Sequence, residues 1–392
     1  MGTKSADALA ISPVDAANLA SKIYDSQSEL LTKLFLKDPI FSQEKNDSKH
    51  LKAKVGFRII NANDGFGICA RGGKGYENDL FIIFRGTTTK NYGADIISDL
   101  RFGVETSKTG LPVHIGFNHA FSSMLPAIED FVKGNADATG FIHVIGHSLG
   151  GAVATLAADW LSTRRPKKVK LYTFGCPKPG LEFFAHRLTD KLMPGNIYRV
   201  YHSTDVVPMV PVYPFTHSPT NHSGYQMSST GFVSFSAHKM ANYKKSVGDS
   251  TWGLLKATGE QTAYANSIEH WLKSDKPLNP ADPRTWEWIN SGLTWVLRKV
   301  IGGAAVILQA PIMASISLAD KIAWILHKGI DLSVDASGWV LSIMRKIMQA
   351  LGMRIAKAAS ELTRQFMSII LRRLIERMSN EAVRAVRALM VR

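Results

Sequence analysis

The sequence predicts an α/β fold with a central, mostly parallel sheet, followed by an all-helical C-terminal module. Short apolar runs typical of buried strands alternate with helical segments over the first 250 residues, and this alternation favours a parallel sheet. Strand signals then stop, three prolines punctuate a polar connector, and the rest of the chain has helical patterns only. We therefore divide the chain into an α/β domain (1–250), a connector (251–285) and a helical module (286–392).

The elements of the α/β domain follow one another in the order that such a sheet requires. A helix begins after Ser12, a good N-cap, with Pro13 at its first position. The Asp64-Gly65 pair is a turn signal between the first two strands. The predicted strands are Gly56–Asn61, Phe66–Arg71, Leu80–Phe84, Phe141–Gly146, Val169–Phe174 and Ile197–His202. The predicted helices lie at Asp15–Lys37, within Pro112–Asn135, at Ser148–Leu161 and at Gly180–Lys191.

One serine lies in a context that predicts a nucleophile. Gly146-His147-Ser148-Leu149-Gly150 is a Gly-x-Ser-x-Gly sequence between an apolar strand and a good helix, the setting of a nucleophile elbow. Glycines two residues away leave room for the strained turn, and the helix start directs backbone N–H groups at a developing oxyanion. A serine in a chance turn is the alternative. We predict that Ser148 is the nucleophile of an α/β hydrolase, with the Leu149 N–H in its oxyanion hole.

A serine hydroxyl needs a neighbouring base, which an acid orients. Asp205 comes shortly after the last predicted strand, and strand ends are where sheets of this class carry functional groups. In α/β hydrolases the acid precedes the histidine along the chain. His217, His222, His238 and His270 are therefore candidate bases, and their positions alone do not separate them.

Six separated segments between about residue 12 and residue 245 resemble class 3 lipases, the fungal triacylglycerol lipase family. They are Phe84-Arg85-Gly86-Thr87, His114-Ile115-Gly116-Phe117, Val144–Ala158, Thr173-Phe174-Gly175-Cys176-Pro177, Asp205-Val206-Val207-Pro208 and His222-Ser223-Gly224, with His238 and Tyr243 beyond them.

The resemblance implies Ser148 as nucleophile, Asp205 as orienting acid and His238 as general base. It also implies an oxyanion hole formed by Thr87 and Leu149. His222 is the alternative base, because the interval from Asp205 to His238 is shorter than in the fungal members. We expect no cofactor and no metal site. The lid of the family falls within residues 88–97, a short polar segment here, which suits a phospholipase or a plain esterase as well as a lipase.

The C-terminal part is basic and amphipathic. The chain carries a formal charge of +15, and residues 345–392 hold eleven Arg and Lys against three Asp and Glu. Apolar residues recur from Met344 to Met378 at steps of three and four, and the arginines fall largely off this stripe. Such a helix is typical of a membrane surface or of an adaptable partner-binding site, and packing against residues 286–340 is the alternative. The uncharged Val300–Ala319 is long enough to cross a bilayer or to form a buried hairpin.

Targeting and redox signals are few. Cys69 and Cys176 are expected to be free thiols. The N-terminus shows no signal peptide, so we expect a cytoplasmic protein or one secreted by a leaderless route, acting at membranes.

The favoured function is hydrolysis of lipid acyl esters through an acyl-serine intermediate, above all phospholipase A1 activity. Expected partners are an anionic phospholipid surface and, at the C-terminal helices, an accessory or inhibitory protein. Bacterial members of the family include leaderless phospholipases and secreted toxins, and the resemblance is compatible with such a role. The alternatives are a triacylglycerol lipase or short-chain esterase and, in a different class, a membrane-perturbing helical protein. Nucleic acid is not an expected partner, because the basic residues are not interleaved with aromatic ones.

Overall fold

The computed structural model describes residues 10–26, 29–43, 48–52, 54–55, 58–59, 66–86, 103–166, 168–220, 224–227, 235–256, 262–301 and 317–388. The strands are β1 (Lys49–Leu51), β2 (Lys54–Val55), β3 (Arg58–Ile59), β4 (Gly67–Arg71), β5 (Leu80–Phe84), β6 (Val104–Thr106), β7 (Pro112–His114), β8 (Ile142–His147), β9 (Val169–Phe174), β10 (Gly180–Leu181), β11 (Ile197–His202), β12 (Phe215–Thr216) and β13 (Tyr225–Met227).

The helices of the first part are α1 (Pro13–Lys22), α2 (Glu29–Phe35), α3 (Ile115–Gly134), α4 (Leu149–Arg164), α5 (Glu182–Leu192), α6 (Met240–Val247) and α7 (Trp252–Lys256). The later helices are α8 (Thr262–Lys273), α9 (Pro283–Ile301), α10 (Leu318–Leu332), α11 (Val334–Ala350) and α12 (Arg364–Ala388).

A seven-stranded sheet in the order β1-β4-β5-β8-β9-β11-β13 forms the centre of the protein. Within this sheet five strands run parallel to one another: β5, β8, β9, β11 and β13. The pairs β1–β4 and β4–β5 are antiparallel. The prediction of an α/β fold with a mostly parallel sheet and C-terminal helices is confirmed. Because β5, β8, β9 and β11 run in the same direction, the segments that follow them all emerge at one edge of the sheet.

Both faces of the sheet are covered, as the continuous apolar runs predict. Leu80, Ile82 and Phe84 of β5 belong to one core with α3, α4 and α5. Phe81 and Ile83, at the alternate positions of the same strand, belong to a second core with α1, α2, α6 and α7. The alternation of side chains along the strand thus places a layer of helices on each face.

Some local elements differ from the sequence prediction. The single helix expected at Asp15–Lys37 is two helices, α1 and α2, with a 3-10 turn at Ile23–Asp25 between them. A small antiparallel sheet, β12-β10-β7-β6, was not predicted. Its strands have only two or three residues each, too few to show an alternating pattern.

The apolar stripe of the C-terminal region lies mostly inside a helical bundle. The stripe is divided between two helices, because α11 ends at Ala350 and α12 begins at Arg364. Met344, Ile347 and Met348 are fully buried, as are Ile370 and Leu374. Ile355 and Ile369 are exceptions, at 45% and 43% exposed. Packing within the bundle, the alternative considered above, accounts for most of the stripe.

The bundle shares a continuous apolar core with the α/β part. Buried residues of α9 and α12 belong to the same cluster as Val207 and Met209, which follow Asp205. Helix α12 also packs against Phe235–His238. The boundaries proposed at residues 250 and 285 remain predictions; α8 lies within the predicted connector. Among the described residues no helix could cross a membrane, and most of Val300–Ala319 lies outside them.

Candidate active site

The turn between β8 and α4 holds Ser148 in a strained conformation. Its φ is 56° and its ψ −131°, a region that non-glycine residues rarely occupy. A Cβ on Gly146 would lie 2.3 Å from the Gly150 carbonyl oxygen, so the first glycine of the motif is required by close backbone approach. The Ser148 hydroxyl does not cap its own helix, which leaves it free for another partner.

That partner is His238, which also contacts Asp205. His238 Nε2 lies 2.8 Å from Ser148 Oγ, and Nδ1 lies 2.7 Å from Asp205 Oδ2. In a neutral imidazole, Nδ1–H donates to the carboxylate and Nε2 accepts the serine proton. All three side chains are buried. The structure therefore brings together the three residues that the sequence singled out, although they lie up to 90 positions apart.

The other candidate histidines have different places. His217 is half-buried, and its Nε2 donates to the Pro208 carbonyl at 2.7 Å. Burial, together with Arg199 and Lys178, lowers the pKa of His217 well below its usual value. His270 is exposed on α8. His222, the alternative base, lies outside the described residues, as does the lid segment 88–97.

Asp205 is fixed by groups other than the histidine. Its Oδ1 accepts the Val207 N–H at 3.0 Å, and its Oδ2 accepts the Tyr243 hydroxyl at 2.7 Å. Burial and the adjacent Asp205 raise the pKa of Tyr243 well above its usual value, so the phenol stays protonated and donates. In the sequence, Tyr243 is marked only by its place beyond the six segments of the family resemblance. Its contact with the carboxylate depends on how α6 packs, which no local pattern reports.

Gly175 is required by the same arrangement. It adopts a φ of +55°, and a Cβ there would lie 2.9 Å from Asp205 Oδ2 and 3.0 Å from His238 Nδ1. A side chain at this position would separate the acid from the base. The glycine in the Thr173–Pro177 segment thus has a direct structural reason.

His147, next to the nucleophile, belongs to a second buried network. Its Nε2 donates to the His238 carbonyl at 2.8 Å, and its Nδ1 accepts the Tyr24 hydroxyl at 2.7 Å. Tyr24 in turn accepts the Gly86 N–H at 2.9 Å. Burial, followed by the neighbouring His238, lowers the pKa of His147 well below its usual value. The ring is therefore a neutral structural group, and its contact with Tyr24 was not predicted from the sequence.

The predicted oxyanion hole lies partly within the described residues. Leu149 is the first residue of α4, so its N–H lies at the positive end of the helix. Thr87 lies outside the described residues. Its neighbour Gly86 is close to Ser148, since a Cβ on Gly86 would lie 3.2 Å from Ser148 Cβ. The chain thus reaches Ser148 immediately before Thr87.

The described residues contain no group of three or more His, Cys, Asp or Glu side chains that could hold a metal ion. Cys69 and Cys176 are buried free thiols, as expected. Burial raises the pKa of Cys176 to about 12, so this thiol is unreactive at neutral pH.

Comparison with known proteins gives a family for this region. Residues 81–215 match the class 3 lipase family. The secreted mono- and diacylglycerol lipase 1 of Fusarium solani is 38% identical over 129 residues, which are 32% of this chain and 38% of that protein. A lipase of Rhizopus niveus is 32% identical over 149 residues, 36% of each chain. The chloroplastic phospholipase A(1) DAD1 of Arabidopsis thaliana is 30% identical over 154 residues, 34% of each chain.

The chain spans little more than a third of the length of these curated relatives. The matched segment includes Ser148 in its strained turn and Asp205, and His238 completes the group of three from beyond that segment. Residues 81–215 of this chain are therefore similar to the class 3 lipase family.

Proposed function

We propose that the protein hydrolyses acyl esters of lipids, with Ser148 as nucleophile, His238 as general base and Asp205 as orienting acid. The continuous hydrogen bonding from Ser148 Oγ through His238 to Asp205 carries this proposal. Because Ser148 in its strained turn does not cap its own helix, its hydroxyl oxygen is available to bond with the base. This arrangement suits nucleophilic attack on a carbonyl carbon.

Each step assigns a proton to a defined atom. His238 Nε2 takes the Ser148 proton as Oγ forms a bond to the ester carbon, and Asp205 stabilises the resulting imidazolium. The Leu149 N–H, with Thr87, stabilises the oxyanion. The intermediate collapses, the ester C–O bond breaks, and the alcohol leaves with the proton from Nε2. Water activated by His238 then hydrolyses the acyl-serine and regenerates the free enzyme.

Within this reaction class we propose phospholipase A1 activity at an anionic phospholipid surface. The named relatives include a phospholipase A(1) and mono- and diacylglycerol lipases, so the shared chemistry is that of a glycerol ester. The net charge of +15 favours an anionic surface. A triacylglycerol lipase or a short-chain esterase is the alternative within the class. The burial of the apolar stripe disfavours a protein that acts mainly by inserting these helices into bilayers.

Product analysis by mass spectrometry tests the proposal. Mixed-acyl phosphatidylglycerol and phosphatidylethanolamine, together with triolein, would be incubated with the protein, with Ser148→Ala and with the exposed-site control Ser360→Ala. We expect release of the sn-1 fatty acid by the parent and by Ser360→Ala, and a rate at least about 10³-fold lower for Ser148→Ala. Release of the sn-2 chain alone would exclude phospholipase A1. Undiminished hydrolysis by Ser148→Ala would remove the serine mechanism, and vesicle leakage that survives this substitution would favour the membrane-perturbing alternative.

A further inference from the structure

Helix α12 has two faces with different surroundings. Met367, Ile370, Leu371 and Leu374 are fully buried against the bundle, and Met378 is nearly so. The helix packs on α10 and on two segments of the active-site region, Val207–Met209 and Phe235–His238. The apolar face is therefore already occupied within the protein. What remains available to a partner is the outer face.

The outer face of α12 is an arginine surface. Among the described side chains of the helix, its exposed charged residues are one glutamate, Glu376, and six arginines: Arg364, Arg372, Arg373, Arg377, Arg384 and Arg387. At about 100° per residue, all of these arginines except Arg364 fall within an arc of about 140°. Ile369, which is 43% exposed, lies within the same arc. Glu376 also lies within this arc, and Arg364 lies outside it, in the first turn of the helix; we call the six arginines together the arginine face.

Half of the arginine face is engaged in ion pairs. Arg372 contacts Asp320 at 2.8 Å. Arg377 and Arg384 share Glu381, at 3.1 and 3.2 Å. Arg364, Arg373 and Arg387 have no carboxylate within 4.0 Å among the residues that the structure describes. Excess positive charge therefore faces solvent along a helix about 37 Å long at 1.5 Å per residue.

We propose that the arginine face docks this protein on an anionic phospholipid bilayer. An extended row of guanidinium groups complements an extended plane of phosphates, and the exposed Ile369 can enter the boundary between headgroups and acyl chains. The buried face of the same helix contacts the segment containing His238, so a docked protein would hold the active-site region one helix layer from the lipid surface. The significance of docking for catalysis rests on the proposed function, whereas binding itself does not.

Vesicle flotation with matched charge variants tests the proposal. The arginine-face variant is Arg364→Gln/Arg373→Gln/Arg387→Gln, which leaves the ion-paired arginines in place. The control is Lys74→Gln/Lys133→Gln/Lys168→Gln, which removes the same charge from exposed lysines at the opposite edge of the sheet: before β5, at the end of α3 and before β9. Both sets are made in the full chain carrying Ser148→Ala, so that the lipid stays intact. Hydrolysis of a soluble ester is measured with Ser148 present.

The parent should bind vesicles containing phosphatidylglycerol more tightly than pure phosphatidylcholine vesicles, and less tightly as salt rises. At about fivefold per basic residue, the arginine-face variant should bind on the order of 100-fold more weakly. The control should bind like the parent, and all variants should hydrolyse the soluble ester at the parental rate. If the arginine-face variant and the lysine control lost vesicle binding equally, net charge alone would explain the binding, and the proposal would be overturned.

Two further outcomes would also overturn it: undiminished binding by the arginine-face variant, or a parent that ignores phosphatidylglycerol. After the second outcome, an acidic protein would be the remaining candidate partner for the arginines. A parent that binds vesicles yet hydrolyses no ester would instead contradict the proposed function and leave the docking surface supported.

Discussion

The active-site region and the C-terminal bundle both bury their important side chains, but they bury opposite kinds of group. Around Ser148 the buried groups are polar, and each is held by directed hydrogen bonds such as those of Asp205 to Val207, Tyr243 and His238. In the bundle they are apolar residues at helical spacing. Directed bonds fail when one atom is changed, whereas apolar packing loses free energy in proportion to the volume removed. Activity should therefore depend on single atoms in the first region, and stability on summed contacts in the second.

Asp205→Asn is the most severe test of this difference. The amide is nearly isosteric, but it can no longer accept the Nδ1–H of His238 as a carboxylate does, so the imidazole is held in the wrong tautomer. We expect kcat for a soluble ester to fall about 10⁴-fold with a smaller change in KM. The exposed-site control Asp190→Asn should leave kcat unchanged. A loss of less than tenfold would show that Asp205 does not orient the base.

Leu293→Ala should have the opposite signature. Leu293 is fully buried in α9, so truncation leaves a cavity and should lower the free energy of unfolding by about 3 kcal/mol. Well below the unfolding temperature, kcat should be unchanged. Leu293→Met, which conserves volume, should cost less than about 1.5 kcal/mol in denaturant unfolding. A large loss of kcat with unchanged stability would contradict the division between the two regions.

Tyr243→Phe tests a residue that is buried like the bundle core but makes a directed hydrogen bond, as Ser148, His238 and Asp205 do. Removing its hydroxyl deletes one donor to Asp205 and leaves the ring packing intact. A hydrogen bond to a charged group is worth about 1.5–3 kcal/mol, so kcat should fall at least about tenfold. An unchanged kcat with reduced stability in denaturant unfolding would indicate that Tyr243 only packs.

Lys178 joins the two regions, and its expected effect depends on pH. Its Nζ donates to the Met209 carbonyl at 2.9 Å and to Asn290 Oδ1 of α9 at 3.1 Å. Burial, then Arg199 and Arg298, lowers the pKa of Lys178 from 10.5 to about 7. Between these two pH values the unfolded chain binds a proton that the folded protein has released, so stability contributed by this group rises with pH.

Denaturant unfolding of the parent and of Lys178→Met across this range measures the contribution. The stability of the parent relative to the variant should rise with pH above 7, by at most about 1.4 kcal/mol per pH unit. The variant should be less stable overall, because two acceptors lose their donor. Parallel pH curves for the two proteins would show that the lysine is not perturbed in the folded state.

Local features of the sequence were sufficient for the elbow and for the general fold. A strand, a strained serine and a helix follow one another within a few residues, so the context of Ser148 is contained in one short segment. The strands β5, β8, β9 and β11 lie where their apolar runs predicted them. By contrast, the hydrogen bonds of Tyr24 to His147 and of His238 to Ser148 span 123 and 90 positions, and no periodicity reports such contacts.

The sequence by itself predicted Ser148 as the nucleophile, the mostly parallel sheet and the helical character of the C-terminal part, because each is carried by local patterns of neighbouring residues. Only the tertiary structure decided which described histidine approaches Ser148 and whether the apolar stripe faces lipid or protein. An amphipathic helix has the same pattern in either environment, and a histidine has the same side chain wherever the chain places it. Burial and proximity are properties of the packed chain, and those two properties separate a base from a structural histidine and a bundle core from a membrane surface.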